Sequence, residues 1–246
     1  MAFLHLEFNS AALQMVTGVD IILPDTGALS AVPTVYLFHG LSDNCSCWCR
    51  YTSCERYAKE YGVAVIMPEV QRSFYIDAVY GLRYFTYVSQ ELPRAMHRMF
   101  GLSMERQRSF VMGLSMGGYG ALKCALTHPD HYAGCASFSG VTDLAAFLRL
   151  TEFNGLTGEY TALLGPERAL TPENDLRALL DAAQDLPPIY LSCGEQDPLR
   201  GMNRKFAALL EKKGCAFRFD RRPGNHTWEF WDQSLQDAFS FFFGKK

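Results

Sequence analysis

Hydrophobic residues along the chain occur in short runs, and each run ends at a glycine, a proline or a polar turn. Runs of this length that are rich in β-branched residues predict β-strands. We predict strands over residues 15–23, 34–38, 63–67, 110–112, 133–138, 189–192 and 216–220. Residues 3–23 begin with alternating apolar and polar positions, and they predict an antiparallel hairpin at one edge of the sheet.

Between these runs, apolar residues recur with the spacing of an amphipathic helix. The predicted helices span residues 48–61, 83–100, 116–128, 176–183, 201–213 and 227–243. Strands that are apolar throughout and alternate with helices indicate a mostly parallel sheet that is covered on both faces. We therefore predict an α/β fold, with residues 1–246 forming a single domain.

Residues 142–187 interrupt this alternation. They contain no clear strand, they include Gly155, Gly158 and Gly165, and they favour short helices and loops. An insertion after a strand can form a lid or a pocket wall, and it can equally be an ordinary packing elaboration. The sequence leaves both interpretations open.

The composition narrows the class of protein. Of 246 residues, 48% are apolar, which fills a substantial core and excludes a disordered chain. The formal net charge is −3 and no run of lysine and arginine occurs, so we expect neither nucleic acid nor a membrane as a partner. The N-terminal residues do not resemble a signal peptide, and eight cysteines without such a signal predict reduced thiols in the cytoplasm.

Four of the cysteines lie close together, at Cys45, Cys47, Cys49 and Cys54. The spacing C-x-C-x-C-x4-C differs from the paired C-x2-C pattern of zinc ribbons and fingers. Small buried residues at the start of a helix explain the cluster without a metal. We therefore expect no metal in the site.

The strongest motif for chemistry surrounds Ser115, where residues 110–121 read FVMGLSMGGYGA and contain G-x-S-x-G. A short apolar strand precedes the motif and a helical pattern follows it, which is the context of a nucleophile elbow. The serine of such an elbow has a strained backbone, so the residues two positions before and after it must be small. The alternative is a serine that caps a helix, but a cap does not require three flanking glycines.

A serine hydroxyl needs a base to take its proton, and in this context the chain order is serine, acid, histidine. Three histidines follow Ser115. Two of them, His128 and His131, lie at the far end of the next predicted helix, about 20 Å from the hydroxyl at about 1.5 Å per residue. His226 lies in the loop between the last strand and the last helix, and it is the predicted base.

The acid is expected in the loop after the penultimate strand, where Glu195 and Asp197 both occur. Asp197 lies further into this loop, and the proline that follows it fixes the loop. We predict that Asp197 orients His226 and stabilises its imidazolium form, with Glu195 as the alternative.

A serine nucleophile also needs backbone N–H donors for the oxyanion. Met116 directly follows the serine, and Leu41 follows Gly40 in the loop after the 34–38 strand, so their amides are the predicted donors. His39 precedes the serine and is out of order as a base, so we expect it to brace this loop by hydrogen bonds.

Several aromatic residues near these loops are candidates to line a substrate pocket, with core packing as the alternative for more than half of them. These residues are Trp48, Phe74, Tyr75, Phe153 and Trp228.

With these residues in place, the chain resembles the esterase D branch of the α/β-hydrolases. This branch includes S-formylglutathione hydrolases, bacterial tributyrin esterases, and the related acetyl and feruloyl esterases of carbohydrate-esterase family one. The resemblance covers nearly the whole chain, and it is carried by residues 38–41 (FHGL), 87–93, 113–121 (GLSMGGYGA) and 226–231 (HTWEFW).

The resemblance implies an α/β-hydrolase fold and a serine carboxylesterase without a cofactor. Its substrate would be a small-molecule ester with a short acyl or aryl-acyl group, hydrolysed through an acyl-enzyme. Ser115, Asp197 and His226 correspond to the catalytic triad of the family, and Leu41 and Met116 to its oxyanion donors.

One departure affects the expected substrate. S-formylglutathione hydrolases usually carry a Thr-Cys motif after the oxyanion loop, whereas residues 43–48 read DNCSCW here. The chain is closer to the tributyrin esterase type, which makes a glutathione thioesterase the less favoured alternative. A non-catalytic binding module is a further alternative, and the presence of all three triad residues argues against it. Formation of a homo-oligomer is left open.

Overall fold

Eight strands form one sheet in the computed structural model, which describes residues 1–25, 28–151 and 157–244. The strands are β1 (Ala2–Ser10), β2 (Met15–Leu23), β3 (Thr34–Phe38), β4 (Ala64–Pro68), β5 (Ser109–Leu114), β6 (Gly134–Phe138), β7 (Ile189–Gly194) and β8 (Phe217–Arg222). Their order across the sheet is β1-β2-β4-β3-β5-β6-β7-β8. β2 pairs antiparallel with both β1 and β4, and all the other neighbours pair parallel. The mostly parallel sheet with an antiparallel N-terminal edge is therefore confirmed.

Helices cover both faces of the sheet. They are α1 (Cys47–Tyr51), α2 (Cys54–Tyr61), α3 (Tyr84–Thr86), α4 (Leu92–Phe100), α5 (Met116–Thr127), α6 (Leu144–Thr151), α7 (Thr157–Leu164), α8 (Leu176–Ala182), α9 (Arg200–Lys213) and α10 (Trp228–Phe243). One hydrophobic cluster packs α5, α8 and α9 against the sheet, and a second cluster packs α1, α2 and α10 against the opposite face. Within β3, Tyr36 and Phe38 join the first cluster, whereas Val35 and Leu37 join the second. This alternation explains why the strand is apolar at every position.

The prediction of a single helix over residues 48–61 is wrong, because α1 and α2 are separated at Thr52 and Ser53. The Thr52 hydroxyl donates to the Trp48 carbonyl oxygen and accepts from the Cys54 N–H. The Ser53 N–H donates to the Asp232 carboxylate of α10 at 2.8 Å. The side chains of threonine and serine can form hydrogen bonds with backbone groups in place of helical bonds. The contact with Asp232 is a tertiary contact, which the local periodicity of the sequence cannot reveal.

The predicted segment 142–187 contains α6, α7 and α8, and no strand within the part of it that the structure describes. α7 is tied to the loop between β4 and α3 by two backbone hydrogen bonds, from the Val79 N–H to the Leu163 oxygen and from the Tyr80 N–H to the Ala162 oxygen. Across the described ranges, no helix combines the length and apolar character that crossing a membrane requires.

Candidate active site

Ser115 lies in the tight turn between β5 and α5, with φ of 51° and ψ of −114°. A positive φ is costly for any residue other than glycine, so the surroundings must hold it in place. The Ser115 N–H donates to the Phe138 oxygen at 2.9 Å, and the Ser115 oxygen accepts from the Val141 N–H at 3.1 Å. The two bonds anchor the turn to the carboxyl end of β6, which is adjacent in the sheet.

The glycines of the motif are required by close backbone approach. A Cβ atom on Gly113 would lie 2.4 Å from the Gly117 carbonyl oxygen. A Cβ atom on Gly117 would lie 2.4 Å from the Phe38 carbonyl oxygen. Because these neighbours are backbone atoms, they cannot rotate away, and only glycine allows the elbow to pack this tightly against the end of β3.

The three side chains that the sequence singled out for proton transfer meet at one place. His226 Nε2 lies 3.1 Å from Ser115 Oγ, and His226 Nδ1 lies 3.0 Å from Asp197 Oδ2. The carboxylate in contact with the imidazole thus belongs to Asp197 and not to Glu195. This arrangement joins a hydroxyl, an imidazole and a carboxylate in one hydrogen-bonded chain, which is the geometry of an activated serine nucleophile.

The environment of Asp197 keeps its carboxyl group ionised. Burial, which leaves the residue 1% exposed, acts to raise its pKa. Hydrogen bonds from His226, from the Ser139 hydroxyl and from the Leu199 N–H outweigh burial, so the pKa lies below its ordinary value. A buried negative charge beside Nδ1 orients the imidazole and stabilises its protonated form.

Two residues of this environment are missing from the sequence-based set. Ser139 follows β6 directly, with φ of 48°, and its hydroxyl also accepts the Trp231 indole N–H at 3.1 Å. The Trp231 ring stands perpendicular to the His226 imidazole, with centroids 4.8 Å apart. The position of Ser139 at the carboxyl end of a parallel strand was the available signal, because ligand sites of such sheets gather at that edge.

His39 braces the loop after β3 by hydrogen bonds, as predicted. Its Nδ1 lies 2.8 Å from the Gly40 oxygen, and its Nε2 accepts the Val70 N–H at 3.2 Å. These roles require the neutral tautomer with the proton on Nδ1. Burial lowers the pKa of His39, in opposition to the nearby Glu69 charge, which agrees with a neutral ring.

The amides of Leu41 and Met116 donate no hydrogen bond to a protein acceptor in the chain outside residues 26–27, 152–156 and 245–246. The neighbouring Gly40 N–H is already used, since it donates to Asp43 Oδ2 at 3.1 Å. Met116 is the first residue of α5, where the helix leaves its N–H groups without partners. Both amides remain the predicted oxyanion donors.

Three of the aromatic residues expected to bind substrate are core residues instead. Trp48, Phe74 and Tyr75 are 0%, 1% and 0% exposed. The Trp48 indole N–H donates to the Phe38 carbonyl oxygen at 3.1 Å. The Tyr75 hydroxyl donates to the His39 carbonyl oxygen at 3.0 Å. Trp48 and Tyr75 thus hold the backbone at the end of β3, and Tyr75 does so from a turn in which φ is 49° at Phe74 and 53° at Tyr75. Phe153 lies outside the described residues.

A cleft of about 800 Å³ opens beside Ser115. Trp228 lines it, as predicted, together with other apolar residues that include Tyr51, Phe147, Leu199 and Trp231. Phe147 comes from α6, so the 142–187 segment contributes to the cleft wall.

The charges of the cleft have one sign. Asp43 and Glu229 line it, and none of its described lining residues is lysine or arginine. Burial raises the pKa of Asp43, while the His39 and His226 rings and the Gly40 N–H act to lower it. An anionic ligand would therefore meet repulsion at this cleft.

The sheet, the serine elbow and the hydrogen-bonded chain define an α/β-hydrolase-fold serine hydrolase. The chain belongs to the esterase family described as "Putative esterase", whose model matches residues 10–242. It is thus a carboxylic ester hydrolase.

Individual relatives agree with this assignment. The fluorophosphonate-binding serine hydrolase FphF of Staphylococcus aureus is 33% identical over 99% of both chains, with a TM-score of 0.92. The S-formylglutathione hydrolase FrmB of Staphylococcus aureus is 32% identical over 98% of both chains, with a TM-score of 0.87. An acetyl esterase of Caldicellulosiruptor saccharolyticus is 27% identical over 98% of both chains.

The brace by His39 predicts a pH dependence of stability. The folded protein keeps this buried ring neutral, whereas the unfolded chain takes up the proton below about pH 6.5. The unfolded state therefore binds more protons, and the free energy of unfolding falls as the pH drops, by at most about 1.4 kcal/mol per pH unit from this group. Urea unfolding at several pH values between about 5 and 8 measures the slope of the free energy of unfolding against pH.

The matched variants are His39→Gln and His131→Gln, the second at a side chain that is 48% exposed. We expect the first to remove part of the slope and the second to leave it unchanged. An identical slope in the wild type and His39→Gln contradicts a neutral buried His39.

Proposed function

We propose that the protein hydrolyses short-chain acyl or aryl-acyl esters of uncharged alcohols through an acyl-enzyme on Ser115. The observation that carries this proposal is the position of the His226 ring, with one nitrogen 3.1 Å from the hydroxyl and the other 3.0 Å from the Asp197 carboxylate. The apolar cleft beside the serine supports a small organic substrate.

The proposed reaction has two steps. His226 Nε2 takes the proton of Ser115 while the oxygen attacks the ester carbonyl carbon, and the amides of Leu41 and Met116 hold the resulting oxyanion. The ester C–O bond breaks, and the alcohol leaves with the proton from His226. Water then repeats the sequence on the acyl-enzyme, so that the acid leaves and the serine regains its proton.

The direct test is a series of nitrophenyl esters from acetate to octanoate, measured beside feruloyl and acetylated-sugar esters. We expect hydrolysis of the short esters, with an initial burst where deacylation is slow, and loss of activity after labelling with a fluorophosphonate. Labelling that modifies another residue while hydrolysis persists would argue against Ser115 as the nucleophile.

A glutathione thioesterase is the second candidate, favoured by the similarity to the S-formylglutathione hydrolase FrmB. The triad chemistry is the same for an ester and a thioester. The charge of the cleft separates the two, since glutathione carries two carboxylates and one ammonium group at neutral pH. Because Asp43 and Glu229 face the cleft, we favour uncharged leaving groups.

Charge reversal at Glu229 tests this preference. We expect Glu229→Lys to raise kcat/KM for an S-acylglutathione by about two- to five-fold at low salt, since a solvent-exposed charge has only a modest, salt-screened effect. The value for nitrophenyl acetate should stay unchanged, and the gain should shrink at high salt. Steady-state kinetics at two salt concentrations measures both.

The matched control is Glu211→Lys in α9, which changes the net charge equally but does not line the cleft. A wild type that already prefers the glutathione thioester, with no response to Glu229→Lys, would favour the second candidate.

We also propose a reducing compartment, the cytoplasm, as the place of action. All eight cysteines are free, and burial raises the pKa of Cys124, Cys135 and Cys193, which is typical of buried, unreactive thiols in a reduced protein.

A further inference from the structure

Three side chains with metal-ligating atoms meet at the antiparallel edge of the sheet. His5 of β1 and Asp20 of β2 are direct cross-strand partners, and His5 Nδ1 lies 2.6 Å from Asp20 Oδ1. Cys45 comes from the loop after β3 and adds a thiol. One ligand atom from each residue lies within 4.8 Å of the other two.

A glycine makes this meeting possible. Gly18 lies on β2, and a Cβ atom there would lie 3.3 Å from His5 Cε1 and 3.8 Å from Cys45 Sγ. A larger residue would fill the space between the imidazole and the thiol. The absence of a side chain at Gly18 therefore leaves a small space, which we call the cradle, that is lined by an imidazole, a carboxylate and a thiol.

The cradle is buried on one side and open on the other. Asp20 and Cys45 are 3% and 8% exposed, whereas the His5 side chain is 53% exposed. A second carboxylate lies beside the backbone of Cys45, since Glu69 Oε2 accepts the Cys45 N–H at 3.2 Å. A cation entering from solvent past His5 would thus meet negative charge and a thiol in a site of reduced polarity.

We propose that His5, Asp20 and Cys45 form a binding site for a thiophilic divalent cation of the zinc class. Tetrahedral zinc holds nitrogen, oxygen and sulfur at about 2.0–2.3 Å, which places the donors about 3.3–3.8 Å apart. The three ligand atoms already lie within 4.8 Å of one another, and metal binding would replace the hydrogen bond between His5 and Asp20. Water takes the fourth position, and the thiol proton passes to solvent when the sulfur binds the metal.

The site joins two parts of the fold that lie far apart in the sequence. Cys45 follows the predicted oxyanion donor Leu41 by four residues, and Glu69 also approaches His39 Nε2 at 3.7 Å. A bound cation would therefore connect the N-terminal hairpin to the loop beside Ser115. The spacing of the four clustered cysteines did not indicate this site, because the two other donors come from the hairpin.

Titration with Co²⁺ tests the proposal through a signal that is independent of activity. We expect one equivalent per chain to bind with a thiolate-to-cobalt charge-transfer band in the near ultraviolet, and Zn²⁺ to displace it. Cys45→Ala should abolish the band, and His5→Ala should weaken Co²⁺ binding at least about tenfold, since each removes a direct ligand. Circular dichroism verifies that each variant is folded.

The control is Cys49→Ala, which removes a partly exposed thiol from the same cluster and should leave the band unchanged. The absence of a band in the wild type overturns the proposal. So does a band that survives Cys45→Ala or depends on Cys49. His5 is half-exposed on an edge strand, so we expect His5→Ala to fold, and equal Co²⁺ affinity in this variant also overturns the proposal.

Discussion

Replacement of Ser115 by alanine will lower kcat/KM for nitrophenyl acetate by about 10⁴- to 10⁶-fold, because loss of a triad nucleophile removes the covalent route. The same variant will not be labelled by a fluorophosphonate, whereas the wild type will take up one label per chain. Initial-rate kinetics and mass spectrometry measure the two effects.

The fold should survive this change. The Ser115 hydroxyl forms a hydrogen bond with His226 alone among the described residues, while the turn is anchored by backbone bonds that alanine also makes. Unfolding in urea should therefore show a stability within about 1 kcal/mol of the wild type. Ser240→Ala, on the exposed face of α10, is the matched control, with unchanged kinetics expected. Hydrolysis at the wild-type rate in Ser115→Ala would refute the proposed mechanism.

Replacement of Asp197 by asparagine will lower kcat by about 10³- to 10⁴-fold with little change in KM, as expected when the histidine loses the carboxylate that orients it. The amide can present an N–H group to His226 Nδ1, which favours the tautomer that places a proton on Nε2 and blocks it as a base. Steady-state kinetics on a short-chain ester measures the change.

Glu195→Gln is the matched control for this carboxylate, since both acids lie on the loop after β7 and only Asp197 contacts the imidazole. We expect Glu195→Gln to retain kcat within about twofold, as surface substitutions do. The reverse result, in which Glu195→Gln is inactive and Asp197→Asn is active, would show that the wrong acid has been assigned.

The support beneath the active site changes how the aromatic residues are interpreted. Trp48 and Tyr75 hold the carbonyl oxygens of Phe38 and His39, so they position the end of β3 rather than contact substrate. Because these two carbonyl oxygens are hydrogen-bonded to buried rings, they point into the core, away from the amides predicted to bind the oxyanion. Of the four predicted pocket residues that the structure describes, Trp48, Phe74, Tyr75 and Trp228, only Trp228 lines the cleft.

The sequence alone predicted the fold and the three side chains that the structure joins by hydrogen bonds. Apolar runs with the period of strands and helices predict a parallel sheet, and the spacing G-x-S-x-G is a steric requirement, because a Cβ atom at either of its glycines would lie 2.4 Å from a backbone oxygen. Chain order then selected His226 and Asp197, since the elements that carry them follow the elbow in a fixed succession.

Other features were decided only by the tertiary structure. Asp232 breaks the predicted 48–61 helix from a position about 180 residues away, an interaction that no local pattern encodes. Whether an aromatic ring faces a cleft or the core depends on backbone turns such as those at residues 74 and 75. The meeting of His5, Asp20 and Cys45 likewise requires strand register and a distant loop together. Periodicity reports which residues are apolar, but only packing sets which distant side chains touch.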